Sequence, residues 1–313
     1  MGRLKVVVIL GPTATGKSNC GILLAHKLNG EIISGDSMLV YKNMDIATAK
    51  PTSAELAEVE HHLVNILEPN ENFNVVDFKA RAAILINEIN ARGKVPIIVG
   101  GTGLYIKALL EDYDFAQTQA LSNLRTDLEN YAIKEGNKAL HKKLDGLDKE
   151  AAMRLHYNDR RRVIRAIEVA MEGEEVSQAH AKETPYDAYV FGLHMPRELL
   201  YPRINKRVDN MVESGLFEET GHLLKMGVGE DAQAMKSIGY RQVLEYLHGE
   251  YDKDTCVDKI KQATRNFAKR QFTWYKKMPY IHWIEVGEPP MPEIYVAEMI
   301  RYLNKSANCG KIM

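Results

Sequence analysis

The first hundred residues alternate short apolar runs with stretches whose apolar positions recur at helical spacing. Three runs are strand candidates: Leu4–Leu10, 31–34 and 95–99. The first and the last are nearly all apolar, as expected for central strands of a parallel sheet. Helical patterns follow Lys17 and cover residues 53–61 and 75–92, where Gly93 comes next as a C-terminal cap. This order predicts a parallel α/β sheet with crossover helices, in which the first and third runs are central strands.

The pattern changes after this region. From about 121 to 174 the chain reads as helix, rich in Leu, Ala, Lys and Glu, without any run typical of a buried strand. Strand-like segments return at 186–195 and 280–286, separated by further helical sequence. We therefore predict an α/β core formed by 1–115 and 186–313, with an all-helical domain inserted at 116–185.

Composition narrows the functional classes without choosing one. The 313 residues include 45% hydrophobic residues, enough for a large core, and carry a formal net charge of −1. Such a balance gives no global field for nucleic acid or membrane, so any basic surface must be local. Cys20, Cys256 and Cys309 lie far apart without a C-x-x-C pair, which predicts reduced thiols and no zinc site. No apolar run approaches a membrane span, and we expect a cytoplasmic protein or one in an organelle matrix.

The first chemical motif is "GPTATGKS". Gly11, Gly16, Lys17 and Ser18 fit the phosphate-loop pattern G-x-x-x-x-G-K-[ST] between a predicted strand and a predicted helix. Glycines let backbone N–H groups face a polyphosphate, and the helix N-terminus adds partial positive charge. Lys17 can span two phosphates, and the Ser18 hydroxyl suits a magnesium ion. The fold class is therefore a P-loop NTPase-like parallel sheet with an inserted helical domain.

The other parts of a usual P-loop nucleotidase are missing. The strand in "VPIIVGGTGLY" ends in Gly100, Gly101 and Thr102 rather than in an acid, and the guanine-reading N-K-x-D sequence is absent. An acid does occur earlier, because "EIISGDSMLVY" places Asp36 at the carboxyl end of the second strand, where ligands bind in open α/β sheets. Asp36 could be a second-shell magnesium ligand, a general base or a turn cap. "GGTGLY" could donate to the phosphates or simply form a tight turn.

The second half of the chain carries local basic patches. Residues 259–277 hold seven Lys or Arg and no acid, with aromatic residues between them. This combination suits a phosphodiester backbone and unstacked bases, although a solvated helix with core aromatics gives the same pattern. Further patches contain Arg160, Arg161, Arg162 and Arg165; Arg197, Arg203, Lys206 and Arg207; and Lys236 and Arg241. Together they favour a polyanion larger than a nucleoside triphosphate.

Six motifs in order resemble the tRNA dimethylallyltransferase family, also called tRNA isopentenyltransferases. They are "GPTATGKS", "ISGDSMLVYKNMDIATAKP", "VGGTGLYIKALL", "NDRRRVIRAIEV", "SIGYRQ" and "AKRQFTWYK". The resemblance runs from about Val6 to Trp283. It implies transfer of a dimethylallyl group from dimethylallyl diphosphate to the N6 amine of the adenosine immediately 3′ of the tRNA anticodon. It also implies a magnesium cofactor, and we expect a monomer.

The resemblance further implies roles for matching residues. Asp36 would accept a hydrogen bond from the adenine amine and act as the base, Lys17 would stabilise the leaving charge, and Thr102 and Arg207 would contact the diphosphate from the opposite side. Ser18 would hold the magnesium ion. The diphosphate would be bound by Gly11, Thr13, Ala14, Thr15, Gly16, Lys17 and Ser18. The inserted helical region would clamp the anticodon stem-loop.

The residues that match tRNA-contacting stretches of the family form a larger set. They are Asp36, Ser37, Met38, Leu39, Arg161, Arg162, Arg165, Lys236, Gly239, Tyr240, Arg241, Lys269, Arg270, Gln271, Trp274 and Lys276. The chain departs from the family pattern at Leu39, where many members have Gln, and at Asn43 and Ala47, where Gly is common. The zinc finger of many eukaryotic relatives is absent, which indicates a bacterial-type enzyme.

Three other functions are compatible with parts of the sequence. An isopentenyltransferase of the same fold acting on free adenine nucleotides would need the phosphate loop and Asp36, but no extended basic surface. A small-molecule P-loop kinase would need the strand-end acid that is missing here. A non-catalytic RNA-binding module would leave Lys17, Ser18 and Asp36 without a role.

Overall fold

The computed structural model describes residues 3–113, 122–171 and 184–306. The chain divides into two compact units, one formed by 1–110 with 184–313 and the other by 111–183. These limits lie a few residues from the boundaries at 115 and 186 that the sequence pattern suggested. We call the first the α/β unit and the second the helical unit.

The α/β unit is built on a six-stranded sheet in the order β3-β2-β4-β1-β5-β6, and every neighbouring pair is parallel. The strands are β1 Leu4–Leu10, β2 Gly30–Ser34, β3 His61–His62, β4 Val95–Gly100, β5 Tyr186–His194 and β6 Ile281–Glu285. The two runs predicted as central strands are β1 and β4, which confirms the parallel α/β fold. All five strand candidates are present.

Thirteen α-helices and one short 3-10 helix, Ala234–Lys236, occupy the described residues. In the α/β unit the helices are α1 Lys17–Leu28, α2 Ser53–Glu58, α3 Val75–Ala91, α4 Gly103–Leu110, α9 Arg197–Glu213, α10 Leu216–Lys225, α11 Tyr240–Leu247, α12 Lys253–Tyr275 and α13 Pro292–Ser306. In the helical unit they are α5 Ser122–Glu135, α6 Asn137–Leu147, α7 Lys149–Arg154 and α8 Arg160–Met171.

The structure corrects two details of the sequence interpretation. The helix predicted over 53–61 stops at Glu58, and His61–His62 instead forms β3, a short edge strand parallel to β2. The long helical pattern from 121 to 174 is divided into four helices within the described part. Its first break is at Gly136, whose φ of 90° interrupts the helix, and its second is at Asp148, which caps α7.

The sheet is covered by helices on both faces. Along β1, Val6, Val8 and Leu10 point into a core shared with α3, α4, α11 and α12, whereas Val7 and Ile9 point into a core shared with α1, α9 and α13. This alternation follows from the two-residue period of a strand and explains why β1 is nearly all hydrophobic. The helical unit has its own core, formed by residues such as Leu140, Leu144, Val163 and Ile164.

The remaining sequence expectations concern cysteines, metals and membranes. Cys20 and Cys256 are buried free thiols, and Cys309 lies outside the described residues. Within the described ranges, His, Cys, Asp and Glu form no group of three suited to hold a metal ion. None of the helices in those same ranges combines the length and apolar character that crossing a bilayer requires.

The carboxyl ends of β2 and β4 approach so closely that only glycine fits. A Cβ built on Gly100 would lie 2.3 Å from the carbonyl carbon of Gly35. The two segments are joined by hydrogen bonds from Gly35 N–H to Val99 O (2.9 Å) and from Thr102 N–H to Gly35 O (3.2 Å). Because backbone atoms fill the space, no side-chain rotation relieves the contact. This approach places the residues after β2 next to those after β4.

Gly100→Ala should therefore destabilise the α/β unit by about 1–3 kcal/mol, the usual cost of overpacking, because the backbone of one strand end must move. Gly221→Ala in α10 is the matched control, since its added methyl group meets nothing within 4 Å. Gly221→Ala should leave the free energy of unfolding unchanged or raise it by up to about 1 kcal/mol. Urea unfolding of both variants measures the difference. Equal stability of the two would contradict the close approach.

Candidate functional site

The phosphate loop lies between β1 and α1 and has the backbone conformation that its sequence requires. Ala14 and Gly16 adopt left-handed φ angles of 67° and 86°, which turn the chain back toward the sheet. Thr15 is buried, and its hydroxyl donates to Pro12 O at 2.8 Å. Because Gly16 is the N-cap of α1, no side chain occupies the first amides of that helix. The loop can therefore receive an anion.

Lys17, the first residue of α1, directs its ammonium group back over the loop. Its Nζ donates to Pro12 O at 2.7 Å. Burial lowers the pKa of Lys17 to about 7, and the positive charge of Arg207 adds to this effect while Asp36 opposes it. A bound polyanion would stabilise the protonated form.

Asp36 is partly buried just after β2, where its Oδ1 accepts the Met38 N–H at 2.8 Å. Burial raises the pKa of Asp36, and this effect is opposed by that hydrogen bond and by the charges of Lys17 and Arg207. Burial also lowers the pKa of the Arg207 guanidinium, which Asp36 in turn raises. Two cations and one carboxylate thus meet from three different elements. Their sum is locally positive, as an anionic ligand requires.

Thr102 connects the ends of β2 and β4. Its Oγ1 accepts the Ser37 N–H at 3.2 Å, and its own N–H donates to Gly35 O. The "GGTGLY" segment therefore forms the tight turn into α4 that was one of its two interpretations. The Thr102 hydroxyl lies beside Ser37, so the predicted diphosphate contact would come from the same edge of the sheet as Asp36.

Two residues of α12 hold the phosphate loop from behind. The buried Gln271 side chain, 4% exposed, accepts the Thr13 N–H at 3.1 Å and donates to Gly101 O at 2.9 Å. The Tyr275 hydroxyl lies 3.1 Å from Gly11 O and 2.9 Å from Gly101 O. Both ends of the Gln271 amide are thus bonded within the protein, and its assignment as a tRNA contact stays a prediction.

Arg203 is a site residue that the sequence analysis counted only as part of a basic patch. Its Nε donates to Ala14 O at 3.1 Å, and its Nη1 lies 3.0 and 2.9 Å from the two carboxylate oxygens of Glu288. It therefore supports the left-handed turn of the phosphate loop. The available signal was its position four residues before Arg207, which puts both side chains on one face of α9.

The basic residues predicted to contact tRNA fall into exposed and buried groups. Lys269, Arg270 and Lys276 are exposed on α12, and Lys236 and Arg241 are exposed around the start of α11. The residues that are partly exposed are Ser37, Met38, Leu39 and Trp274. Arg241 also lies 3.8 Å from the Glu245 carboxylate, one turn further along α11.

The two central residues of the "SIGYRQ" motif are buried. Tyr240 is fully buried, and its hydroxyl donates to the Glu219 carboxylate. Gly239 is also buried, with a φ of 99° that an L side chain rarely adopts. The Tyr240 ring belongs to the core, and the match of this stretch to tRNA-contacting residues stays a prediction.

The arginines of α8 belong to the helical unit. Arg161 and Arg162 are exposed, and Arg162 lies 3.4 Å from Asp159. Arg165 and Arg125 both contact the buried Glu168 carboxylate, at 3.3 Å and 2.8 Å. These two arginines therefore stabilise the unit by neutralising a buried charge, in addition to any role at its surface.

Comparison with known proteins agrees with this geometry. A protein-family model described as "IPP transferase" matches residues 39–278, well over half of the chain. A protein of Exiguobacterium sp. named tRNA dimethylallyltransferase is 48% identical over 287 residues, which cover 92% of each chain. A protein of Carboxydothermus hydrogenoformans with the same name is 46% identical, covering 93% of this chain and 94% of the relative.

Solved structures give the same result. The tRNA isopentenylpyrophosphate transferase of Bacillus halodurans aligns with a TM-score of 0.74 at 40% identity, covering 99% of this chain and 97% of that one. A eukaryotic dimethylallyltransferase described as acting on tRNA aligns with a TM-score of 0.77 at 30% identity, covering 90% and 73%. By sequence and by fold, this chain belongs to the IPP transferase family.

Proposed function

We propose that this protein transfers a dimethylallyl group from dimethylallyl diphosphate to the N6 amine of the adenosine immediately 3′ of the anticodon in tRNA. The observation that carries the proposal is the meeting of Lys17, Asp36 and Arg207 at the phosphate loop, in a chain whose relatives of matching length are named tRNA dimethylallyltransferase. We also propose that it acts as a monomer, since all three charged groups come from one chain, and that it acts in the cytoplasm.

The chemistry explains the balance of charge at the site. In the reaction the N6 nitrogen forms a bond to the allylic carbon while the bond from that carbon to the diphosphate oxygen breaks. Negative charge grows on the departing diphosphate, and stabilising it is the main electrostatic requirement. The amides at the start of α1, the Lys17 ammonium and the Arg207 guanidinium would supply that stabilisation. No water has to be aligned, so the nucleotidase acid is not needed.

Asp36 would take the proton that the N6 amine loses. Its carboxylate is partly buried and already has one oxygen fixed by the Met38 N–H. The raised pKa that burial produces makes the carboxylate a stronger base, and the positive charges of Lys17 and Arg207 oppose that shift. The same group could accept a hydrogen bond from the amine and hold it toward the allylic carbon.

A magnesium ion fits the residues present. Magnesium is usually held by one or two protein oxygens together with substrate phosphates rather than by a complete protein cage. The exposed Ser18 beside the loop, with Asp36 nearby as an outer partner, meets that pattern, and the described residues hold no larger acidic cluster. When bound, the ion would neutralise charge on the diphosphate.

The acceptor would be recognised as RNA rather than as a free nucleotide. Lys269, Arg270 and Lys276 form an exposed basic surface on α12, the helix whose other side holds the phosphate loop. The adenosine must be turned out of the anticodon loop, and unstacked loop bases are what proteins read in RNA. We propose that the helical unit contacts the anticodon stem, as its match to the family implies.

The direct test uses radiolabelled dimethylallyl diphosphate, magnesium and three acceptors: an unmodified anticodon stem-loop, the same stem-loop with guanosine in place of the target adenosine, and AMP. Label should enter only the first. Label on AMP alone would indicate the nucleotide-specific isopentenyltransferase, and label on none of them would overturn the proposal.

Asp36→Asn should lower kcat by on the order of 10²- to 10⁴-fold, the usual contribution of a general base. The variant keeps the size of the side chain and one oxygen for the Met38 N–H, but it cannot accept a proton. Single-turnover prenylation measures the loss, and filter binding of the stem-loop should be nearly unchanged. Near-normal turnover would remove Asp36 as the base.

Lys269→Ala should weaken stem-loop binding and reduce the slope of log K against log salt by about 1, as expected for one lost phosphate contact. Lys305→Ala is the matched control, because it removes the same charge from an exposed position on α13. Titrations between about 50 and 200 mM salt give both slopes. If the two variants behave alike, α12 has a solvated basic face and no RNA contact.

A further inference from the structure

Glu219, in the first turn of α10, binds a distant backbone segment with its carboxylate. Its Oε2 accepts the N–H groups of Asp45 and Ile46, both at 2.9 Å. Its Oε1 lies 3.1 Å from Ile46 N and 3.4 Å from Ala47 N, and it also accepts the Tyr240 hydroxyl. One carboxylate thus satisfies three consecutive amides more than 170 residues away in sequence. We call this arrangement the Glu219 latch.

The "SIGYRQ" motif supports the latch from inside. Burial raises the pKa of the Tyr240 hydroxyl, as does the neighbouring Glu219 charge, so the phenol remains a donor. Gly239 brings the chain against the same segment, because a Cβ there would lie 2.8 Å from the Ala47 Cβ. The Gly239 N–H is itself bonded to Gln242 Oε1 at 2.9 Å. The buried part of this motif therefore acts on residues 45–47.

The latched segment needs such support. Between β2 and α2 the chain has no helix or strand, and Asn43 and Ala49 adopt left-handed φ angles of 59° and 48°. Amides in such a loop are satisfied by side chains or water, and those bonded to an ionised carboxylate are the stronger kind. The Glu219 charge therefore adds to the local bonds of the loop, such as those from Ala49 N–H to Ile46 O and from Lys50 N–H to Asp45 O, both at 2.9 Å.

A series of hydrogen bonds connects the latch to Asp36. The Asp45 carboxylate pairs with Lys50 Nζ at 2.6 Å, and the same ammonium donates to Tyr41 O at 2.6 Å. The Lys50 side chain is only 3% exposed. The Tyr41 N–H donates to Met38 O at 3.3 Å, and the Met38 N–H donates to Asp36 Oδ1 at 2.8 Å. The segment that carries Asp36 is thus fixed at its far end by Glu219.

We infer that Glu219 is a positioning residue for prenyl transfer. Its carboxylate, backed by Tyr240, holds the loop after β2 so that Asp36 and the partly exposed residues 37–39 meet the flipped adenosine. The inference rests on the proposed function, and it gives the buried part of "SIGYRQ" a role through the loop at 45–47. Diphosphate binding does not depend on the latch, because the phosphate loop is held by Gln271, Tyr275 and Arg203.

Glu219→Gln tests this inference with Glu218→Gln as the matched control, since Glu218 is an exposed neighbour on α10 that carries the same charge. Glutamine has nearly the size of glutamate, but one of its two acceptor oxygens is replaced by an NH₂ group. That group would face the backbone N–H groups of 45–47 or the Tyr240 hydroxyl, which are also donors. Glu219→Gln should lower kcat/KM for the stem-loop by roughly ten- to a hundredfold, as misplacement of reacting groups does. KM for dimethylallyl diphosphate should stay within about twofold of the wild-type value. The control should leave all of these values unaltered.

A second readout does not depend on activity. Hydrogen exchange followed by mass spectrometry should show faster exchange at 45–47 in Glu219→Gln, and to a smaller extent in Tyr240→Phe, but not in Glu218→Gln. Glu219→Asp, which keeps the charge, should recover part of both the protection and the turnover. Tyr240→Phe carries the test if Glu219→Gln does not fold.

Two results would overturn the inference: unchanged exchange at 45–47, or faster exchange with normal kcat/KM for the stem-loop. The second would make Glu219 a purely structural residue. Failure of the proposed function is distinguishable, because it would show as absent prenylation by the unchanged protein. The exchange data would still decide whether Glu219 orders the loop.

Discussion

The structure depends on the close approach of two backbone segments at the carboxyl edge of the sheet. Gly35 and Gly100 lie in contact without any side chain between them, and this contact brings the loops after β2 and β4 next to each other. Asp36 directly follows Gly35, and Thr102 lies two residues after Gly100, so the site exists because residues without a Cβ stand where these two neighbouring strands end. The phosphate loop after β1 completes the same edge, as expected where ligands bind in open α/β sheets.

The charges at this edge explain why a nucleotide-hydrolysing arrangement is unnecessary. Burial disfavours the charged forms of Lys17 and Arg207, and the charge of Arg207 further disfavours protonated Lys17. The negative charge of Asp36 offsets part of this free-energy cost. In a medium less polar than water these interactions are stronger than they would be at the surface. A diphosphate would relieve the repulsion between the cations, and the carboxylate would remain available for a proton. One site can thus hold the leaving group and accept the proton from the nucleophile.

Hydrogen bonds from buried or partly buried polar side chains connect this site to the rest of the α/β unit. Gln271 and Tyr275 connect α12 to the phosphate loop and to Gly101, while exposed lysines and arginines lie on the other side of the same helix. Arg203 supports the loop at Ala14, and Glu219 supports the loop after β2. Each of these groups leaves a backbone donor or acceptor unsatisfied if it is removed, which is costly inside a protein. The site is therefore shaped largely by residues that touch no substrate.

The sequence by itself determined the local features of this protein. The apolar runs identified five of the six strands of the parallel sheet, and the glycine and lysine pattern identified the phosphate loop. The position of Asp36 after a strand identified the edge at which it lies. These features follow from short-range chemistry: the period of a strand, the freedom of glycine, and the conformation of a strand-loop-helix unit. The ordered motifs were sufficient to indicate the family, because each has its own spacing.

Only the tertiary structure decided which polar residues face inward. Gln271 and Tyr240 lie near exposed basic residues, Lys269 and Arg241 respectively. Gln271 and Tyr240 are nevertheless buried, and they are bonded to backbone or carboxylate groups. Adjacent positions on a helix point in different directions, so the role of each depends on which element packs against that side. The partners of Glu219 are more than 170 residues away along the chain. No local pattern encodes such a contact, because it arises only when the fold brings the two segments together.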